Sequence, residues 1–548
     1  MTTNDARFTA RTRRDFLKTG VGLVAAGVGM TPGVAAQIHG TTGRDGGGSV
    51  PLRKPACSLD YLDRNEYIHN MEILSFVKGR GGVGNDSVGP VMWARGAQRV
   101  LPNMAIDISD PKKPVVMGEP TTPFGGPIGG PLGYVTRLKK WVAIQQSGRQ
   151  GWTPTPEYPQ GQYHMAYRNH YFDSTNFRGI RTWDVTDPVK PVQMGELACG
   201  DVTGAFYDGG NYYTCELTWD DRLRMESTER PVSAGLGIID VSDPANCKVV
   251  ARWWVPGQMI GEEDEWKKWM FADDYSSWTG CHGGMVMPQR PEDGGTIGYC
   301  GMGAFGMYVM DVTDITNPKP IGRLDTPVFT RGAIPWHTQH PVVADSSHPR
   351  LQDLLICTYE PLESDCQEAA RATYVVDVKD KRNPKIIGLF QPPKPDPTAP
   401  YTDFCCARGR VGPHIIQAWA APGVNQPHLL AITYYNAGLR IFDISEPTEP
   451  KEVAYFVPAR RGDINKWNTF RRQDGGVFVE WDRNLIWFSS NYIGEEEGGL
   501  YCMSCPALGK PILEPRKVTR WTVPHINVGW DDQTPRTVYL GRSLRQMS

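Results

Sequence analysis

The chain has 548 residues and a formal net charge of -2, with 58 Lys and Arg set against 60 Asp and Glu. That balance supplies no basic footprint for nucleic acid and no polybasic patch for an anionic membrane. Sixty Gly, 45 Pro and 17 Trp, at a mean hydropathy of -0.41, describe a turn-rich, aromatic β protein whose surface is polar.

Residues 1–36 read as an export signal. Arg13-Arg14-Asp15-Phe16-Leu17-Lys18 precedes a weakly hydrophobic run from Gly20 to Met30, and Val34-Ala35-Ala36 offers small residues for cleavage before Gln37. The segment resembles a twin-arginine (Tat) signal. That resemblance implies passage through the Tat translocase as a folded protein and a periplasmic or secreted mature chain. No later apolar run is long enough to span a bilayer, so no stable membrane anchor is expected. Residues 37–60 are rich in Gly, Thr, Arg and Pro and read as a linker.

From 61 to 548 the chain repeats itself. A short apolar strand ends in Asp and runs into a Pro-containing turn at Ile106-Asp107-Ile108-Ser109-Asp110-Pro111, Trp183-Asp184-Val185-Thr186-Asp187-Pro188 and Ile239-Asp240-Val241-Ser242-Asp243-Pro244. The pattern returns at Met310-Asp311-Val312-Thr313-Asp314, Val376-Asp377-Val378-Lys379-Asp380 and Phe442-Asp443-Ile444-Ser445-Glu446-Pro447. Units of roughly 55–80 residues are too long for a solenoid coil and suit a four-stranded propeller blade. A seventh, degenerate unit follows at Gly476–Glu480, Leu485–Ser490, Gly499–Cys502 and Lys510–Leu513. The expected fold is all-β, a seven-bladed β-propeller with four-stranded blades, closed by pairing of the chain ends. One aspartate per blade at a fixed turn predicts a structural role, each carboxylate accepting backbone N–H bonds of its own turn.

These units resemble the LVIVD-repeat family, whose pattern is Gly-Leu-aliphatic-aliphatic-Asp-Ile/Val-Ser/Thr-Asp-Pro. A more distant likeness is to the selenium-binding-protein and methanethiol oxidase propellers, in blade type and in histidines near the axis. The fold follows from the resemblance; function does not, because propellers host unrelated chemistries.

In a propeller, the start of each inner strand and the loop after each second strand converge at one mouth of the central channel. Three successive blades carry histidine at the first of these places, at Gly280-Cys281-His282, Pro335-Trp336-His337-Thr338-Gln339-His340 and Gly412-Pro413-His414. His282 and His414 precede their repeat aspartates by the same distance, because 311 minus 282 and 443 minus 414 both equal 29. His282, His337 and His414 are therefore candidate ligands for a transition metal, with copper, zinc and iron all suited to imidazole. His340 is a spare ligand or proton carrier. Glu360, in the His337 blade, completes the shell or acts as a general base if shelter raises its pKa. Glu216, the Tyr434-Tyr435-Asn436 turn and Asn491-Tyr492 occupy comparable loops. His164 and His170 lie in an aromatic insertion, His525 imitates the histidine pattern after the seventh unit, and His428 reads as structural.

Twelve cysteines in an oxidising compartment point to disulfides, although their connectivity is not readable. Cys199 with Cys215, and Cys281 with Cys300, read as neighbours within one blade, and the Cys502-x-x-Cys505 motif reads as a plain disulfide or a pair of buried thiols. The resulting expectation is an exported metal-dependent enzyme acting on a small-molecule substrate, with oxidation favoured by the Tat signal and the methanethiol oxidase likeness. A metal-dependent hydrolase or lyase and a non-catalytic binding propeller are the alternatives.

Overall fold

The computed structural model describes residues between 57 and 510, leaving aside internal stretches of which the longest are 79–91, 119–131, 148–176, 217–232, 270–278, 418–425, 461–475 and 491–497. The signal, most of the linker, His164, His170, Asn491, Tyr492, Pro511–Leu513 and His525 lie outside the described residues. The described strands form seven sheets, antiparallel along each blade, with Thr279–Gly280 added in parallel to Ser233–Asp240. Blade 1 runs from Met92–Trp93 to Val115–Val116, blade 2 from Leu132–Val135 to Val192–Ala198, and blade 3 from Val202–Tyr207 to Lys248–Trp253. Blade 4 spans Met285–Val286 to Lys319–Leu324, blade 5 Ile334–Pro341 to Lys385–Leu389, and blade 6 Ile416–Gln417 to Lys451–Val457. The fold is a seven-bladed β-propeller of four-stranded blades. No helix among the described residues is long and apolar enough to cross a membrane.

Blade 7 is built differently from the sequence expectation. Its first three strands are Val477–Glu480, Leu485–Ser490 and Gly499–Ser504, but its outer strand is Glu72–Lys78 from the other end of the chain. The first strand, Tyr67–His69, adds a fifth strand to blade 6 by pairing with Lys451–Val457. Closure by the chain ends is therefore real, with Glu72–Lys78 supplying the outer strand. The last residues of the expected linker are also tied down: Cys57 is bonded to Cys406, and the Leu59 N–H donates to the Cys406 carbonyl.

The repeat aspartates do what their position predicts. Each accepts the N–H of the residue two places on: Ser109 on Asp107, Thr186 on Asp184, Ser242 on Asp240, Thr313 on Asp311, Lys379 on Asp377 and Ser445 on Asp443, at 2.7–3.0 Å. Such turns then serve as docking points between blades. The outer strand of a blade carries a bulge at which a small residue faces the next blade: Gly195, Ala251, Gly322, Gly388, Ala454 and Ser75 in blades 2 to 7. A Cβ added to Gly322 would stand 2.0 Å from the Lys381 carbonyl oxygen in the turn of blade 5, and one on Gly388 2.2 Å from that of Pro447 in blade 6. At the closing seam the Ser75 hydroxyl donates to the Pro111 carbonyl of blade 1 at 2.6 Å. The bulge and the turn of the next blade are thus two halves of one inter-blade joint, seen from blade 2 to 3, 4 to 5, 5 to 6 and 7 to 1.

Candidate functional site

Four side chains predicted from sequence spacing meet at one place. His282 lies in the loop just before the inner strand of blade 4, and His414 holds the same position before the inner strand of blade 6. The His414 N–H donates to the Thr433 carbonyl, which fixes the segment against its neighbouring strand. His337 sits within the inner strand of blade 5, where the pairing with Leu354–Glu360 slips between Ile334 and Thr338 and Trp336 adopts a left-handed φ of 54°. Glu360 is the last residue of the strand Leu354–Glu360, the second of blade 5, and is paired with Ile334.

The Nε2 atoms of His337 and His282 stand 3.3 and 3.4 Å from the Glu360 Oε2, and that of His414 stands 3.7 Å from Oε1. Ring centroids of His282 and His337 are 4.8 Å apart, and those of His337 and His414 5.1 Å. The ligand atoms of His282, His337 and Glu360 all lie within 4.8 Å of one another. Glu360 and His414 are wholly buried, whereas His282 and His337 keep 5 % exposure each, so an approaching molecule meets those two imidazoles first.

Two residues hold the carboxylate from behind. Arg410 donates to Glu360 Oε1 at 2.6 Å and to the Pro361 carbonyl, and the Tyr435 hydroxyl donates to the same Oε1. The Arg410 guanidinium lies 4.1 Å over the Tyr435 ring, which in turn stacks on His414 at 4.7 Å. Tyr435 has a left-handed φ of 48° and is bridged to Val411, so the backbone is bent to aim it here. Burial pushes the Glu360 carboxyl up, but His414, Arg410, a hydrogen bond from His282 and His337 outweigh it and hold the group well below the usual carboxylate range. That direction is opposite to the raised value on which a general-base role rests, and it favours the ionised carboxylate at neutral pH.

The other candidates are distributed differently. His340 lies three residues beyond His337, opposite Ile356, and burial pushes its pKa down to about 3. His428 stacks on His348 at 4.7 Å, before the second strand of blade 6 and away from the cluster. Glu216 ends the second strand of blade 3. Sequence reasoning named the Tyr435 turn but missed Arg410. Its available signal was the Arg408-Gly409-Arg410 pair of cations four to six residues before His414, in the segment leading to the inner strand.

The disulfides are Cys57–Cys406, Cys215–Cys281 and Cys366–Cys405. Cys199 lies between blades 2 and 3, not on a strand beside Cys215, and Cys502 and Cys505 are buried thiols. The Cys215–Cys281 bond ties the second strand of blade 3 to the residue before His282, and the Gly284 N–H meets the Cys215 sulfur at 3.1 Å.

The LVIVD repeat model matches residues 232–253 and 432–456, the last strands of blades 3 and 6, so the chain carries LVIVD repeats. No curated protein matches the chain. Similar solved structures include the β-propeller domain of Myceliophteria thermophila Cps50 (Swd1), 12 % identical, with 67 % of this chain and 81 % of that one covered and a TM-score of 0.35. The periplasmic gluconolactonase of Pseudomonas aeruginosa is 9 % identical, covering 80 % of this chain and 98 % of its own at a TM-score of 0.39. A hypothetical selenium-binding protein from Sulfolobus tokodaii is 10 % identical, covering 79 % and 84 % at a TM-score of 0.39.

Proposed function

We propose that the cluster is the metal centre of an exported propeller enzyme that acts on a small molecule at the channel mouth, oxidation being the favoured reaction. The observation that carries this reading is the placement of two imidazole Nε2 atoms 3.3 and 3.4 Å from one carboxylate oxygen. Ligands about 2.1 Å from a common tetrahedral ion lie about 3.4 Å from one another. His282, His337 and Glu360 would hold the ion, with His414 beside them. Neutral imidazoles and one hard carboxylate form a donor set that suits copper, zinc or iron. Such an ion, once bound, supplies Lewis acidity or one-electron exchange.

Residues of the chain itself account for the rest. Arg410 and Tyr435 occupy Oε1 and keep the carboxylate ionised, so Oε2 faces the imidazoles without a competing proton. His282 and His337, retaining the residual exposure, define the side from which a substrate arrives, and surrounding blades exclude bulk water. The three disulfides support export to an oxidising compartment, and the twin arginines support the Tat translocase as the route.

Elemental analysis of the protein purified from export-competent cells tests the reading. Stoichiometric copper, zinc or iron is expected in the parent and in His428→Ala, and its loss in His282→Ala and His337→Ala, with circular dichroism unchanged. A parent without stoichiometric metal, or single variants that retain it, would leave a binding propeller whose histidines merely pair with a buried carboxylate.

A further inference from the structure

Behind His282 lies a second cluster, made of sulfur. Cys300, a thiol on the second strand of blade 4, stands 3.8 Å from the Cys281 sulfur and 3.5 Å from the Met302 sulfur. Cys281 is bonded to Cys215, so Cys300 faces one sulfur of a disulfide and is the thiol left over. Met285 lies directly across the strand from Cys300, and all these side chains are fully buried in one core cluster. Neighbouring glycine leaves room for further sulfur: a Cβ on Gly298 would touch the Met285 and Met287 sulfurs at 2.5 and 2.9 Å.

We propose that Cys281, Cys300 and Met302, joined by Cys215 when the Cys215–Cys281 bond is open, form a site for a soft monovalent cation of the Cu(I) class. Thiolate and thioether donors select such ions over zinc or iron held by imidazole and carboxylate. Two sulfurs bound about 2.3 Å from a trigonal ion lie about 4.0 Å apart, close to the separations found here. Opening the bond consumes two electrons and two protons from a dithiol reductant, which leaves as its own disulfide. Each thiol that then binds the ion releases one proton. The disulfide is thus a gate: closed, it ties up two of the donors, and open, it presents them. His282 and Cys281 are adjacent in sequence, so the loop from Cys281 to Gly284 borders both centres.

The test needs no reductant. Cys215→Ser leaves Cys281 as a thiol, and His282→Ala in the same chain removes the imidazole centre from the measurement. This double variant, kept anaerobic, is titrated with Cu(I) held by bicinchoninate. One equivalent should transfer, with a new ultraviolet thiolate-to-copper band. Adding Cys300→Ser should weaken retention at least tenfold, and Met302→Leu should do so to a lesser degree. His282→Ala alone, its disulfide intact by thiol counting, should take none at this site. If Cys215→Ser does not give parent-like circular dichroism, Cys215→Ala with His282→Ala is titrated instead with the same expectation. Equal copper uptake with and without Cys300, or a Cys281–Cys300 disulfide found by mass spectrometry in the anaerobic Cys215→Ser chain, would overturn the proposal. Because the readout is a sulfur band in a chain lacking His282, it stands or falls independently of the imidazole centre.

Discussion

Gly283 packs so closely on His337 that a Cβ there would stand 2.2 Å from the His337 carbonyl oxygen. Backbone contact, and not side-chain reach alone, therefore sets the distance between the His282 loop of blade 4 and the bulged strand of blade 5. Gly283→Ala must push the two apart, and ligand placement is intolerant of an ångström. The expected result is at least a tenfold loss of metal retention with little change in circular dichroism, read by competition with a chelator. Retention equal to that of the parent would show that the loop relaxes without moving His282.

Glu360 gives a pH signature. Its folded pKa is held below the ordinary 4.5, so its stabilisation is complete above about pH 4.5 and is lost as pH falls through the folded value. Glu360→Gln should remove that part of the acid limb. At neutral pH the same change strands Arg410 without its charge partner, which should destabilise by about 3–5 kcal/mol. Denaturant titrations of metal-free protein from pH 7 to pH 3 compare the two. Parallel acid limbs for parent and variant would mean that Glu360 is not held ionised by its neighbours.

Much of this was legible because the blade is a repeat. Asp107 and its counterparts recur with their turns, and equal phase brought out His282 and His414 before any contact was known. The outer strand of blade 7 was not legible, since Glu72–Lys78 lacks the Asp-Pro turn and reaches its partner across almost the whole chain. Arg410 was missed for a related reason: its meaning lies in the contact with Glu360, 50 residues away in sequence, and an arginine in a loop carries no periodic signal. The sulfur cluster combines both cases, with Cys281 and Cys300 near in sequence and Cys215 brought in from the preceding blade.

The joint between blades predicts a graded stability effect. Gly322 and Gly388 face carbonyl oxygens of the next blade at distances no Cβ tolerates, whereas Ala251 and Ala454 fill the equivalent bulges of blades 3 and 6. Gly322→Ala and Gly388→Ala should each cost about 1–3 kcal/mol, the range for overpacking a tight contact. Thermal melts of both variants check this, and unchanged midpoints would mean that the blades slide apart without penalty.

Ring closure rests on the N-terminal strand. Glu72–Lys78 pairs with Gly499–Ser504 from Glu72 opposite Ser504 to Lys78 opposite Gly499. Phe76 packs on Tyr501 at 4.5 Å between centroids, and Ser75 reaches the Pro111 turn of blade 1. A chain beginning at Gly79 loses all of these contacts and exposes the edge of Gly499–Ser504, a strand buried at five of its six positions. An unpaired apolar edge is a template for association. The expected product aggregates or melts without cooperativity, whereas a chain beginning at Ala56 keeps both N-terminal strands and the Cys57–Cys406 bond and should stay soluble, with a sharp transition. Light scattering and calorimetry separate the outcomes. Because the shorter chain also loses Tyr67–His69 from blade 6, a synthetic peptide covering residues 70–80 is added to it. Recovery of solubility on peptide addition assigns the defect to the blade 7 edge, and a soluble, cooperatively melting chain from Gly79 without peptide would refute closure by this strand.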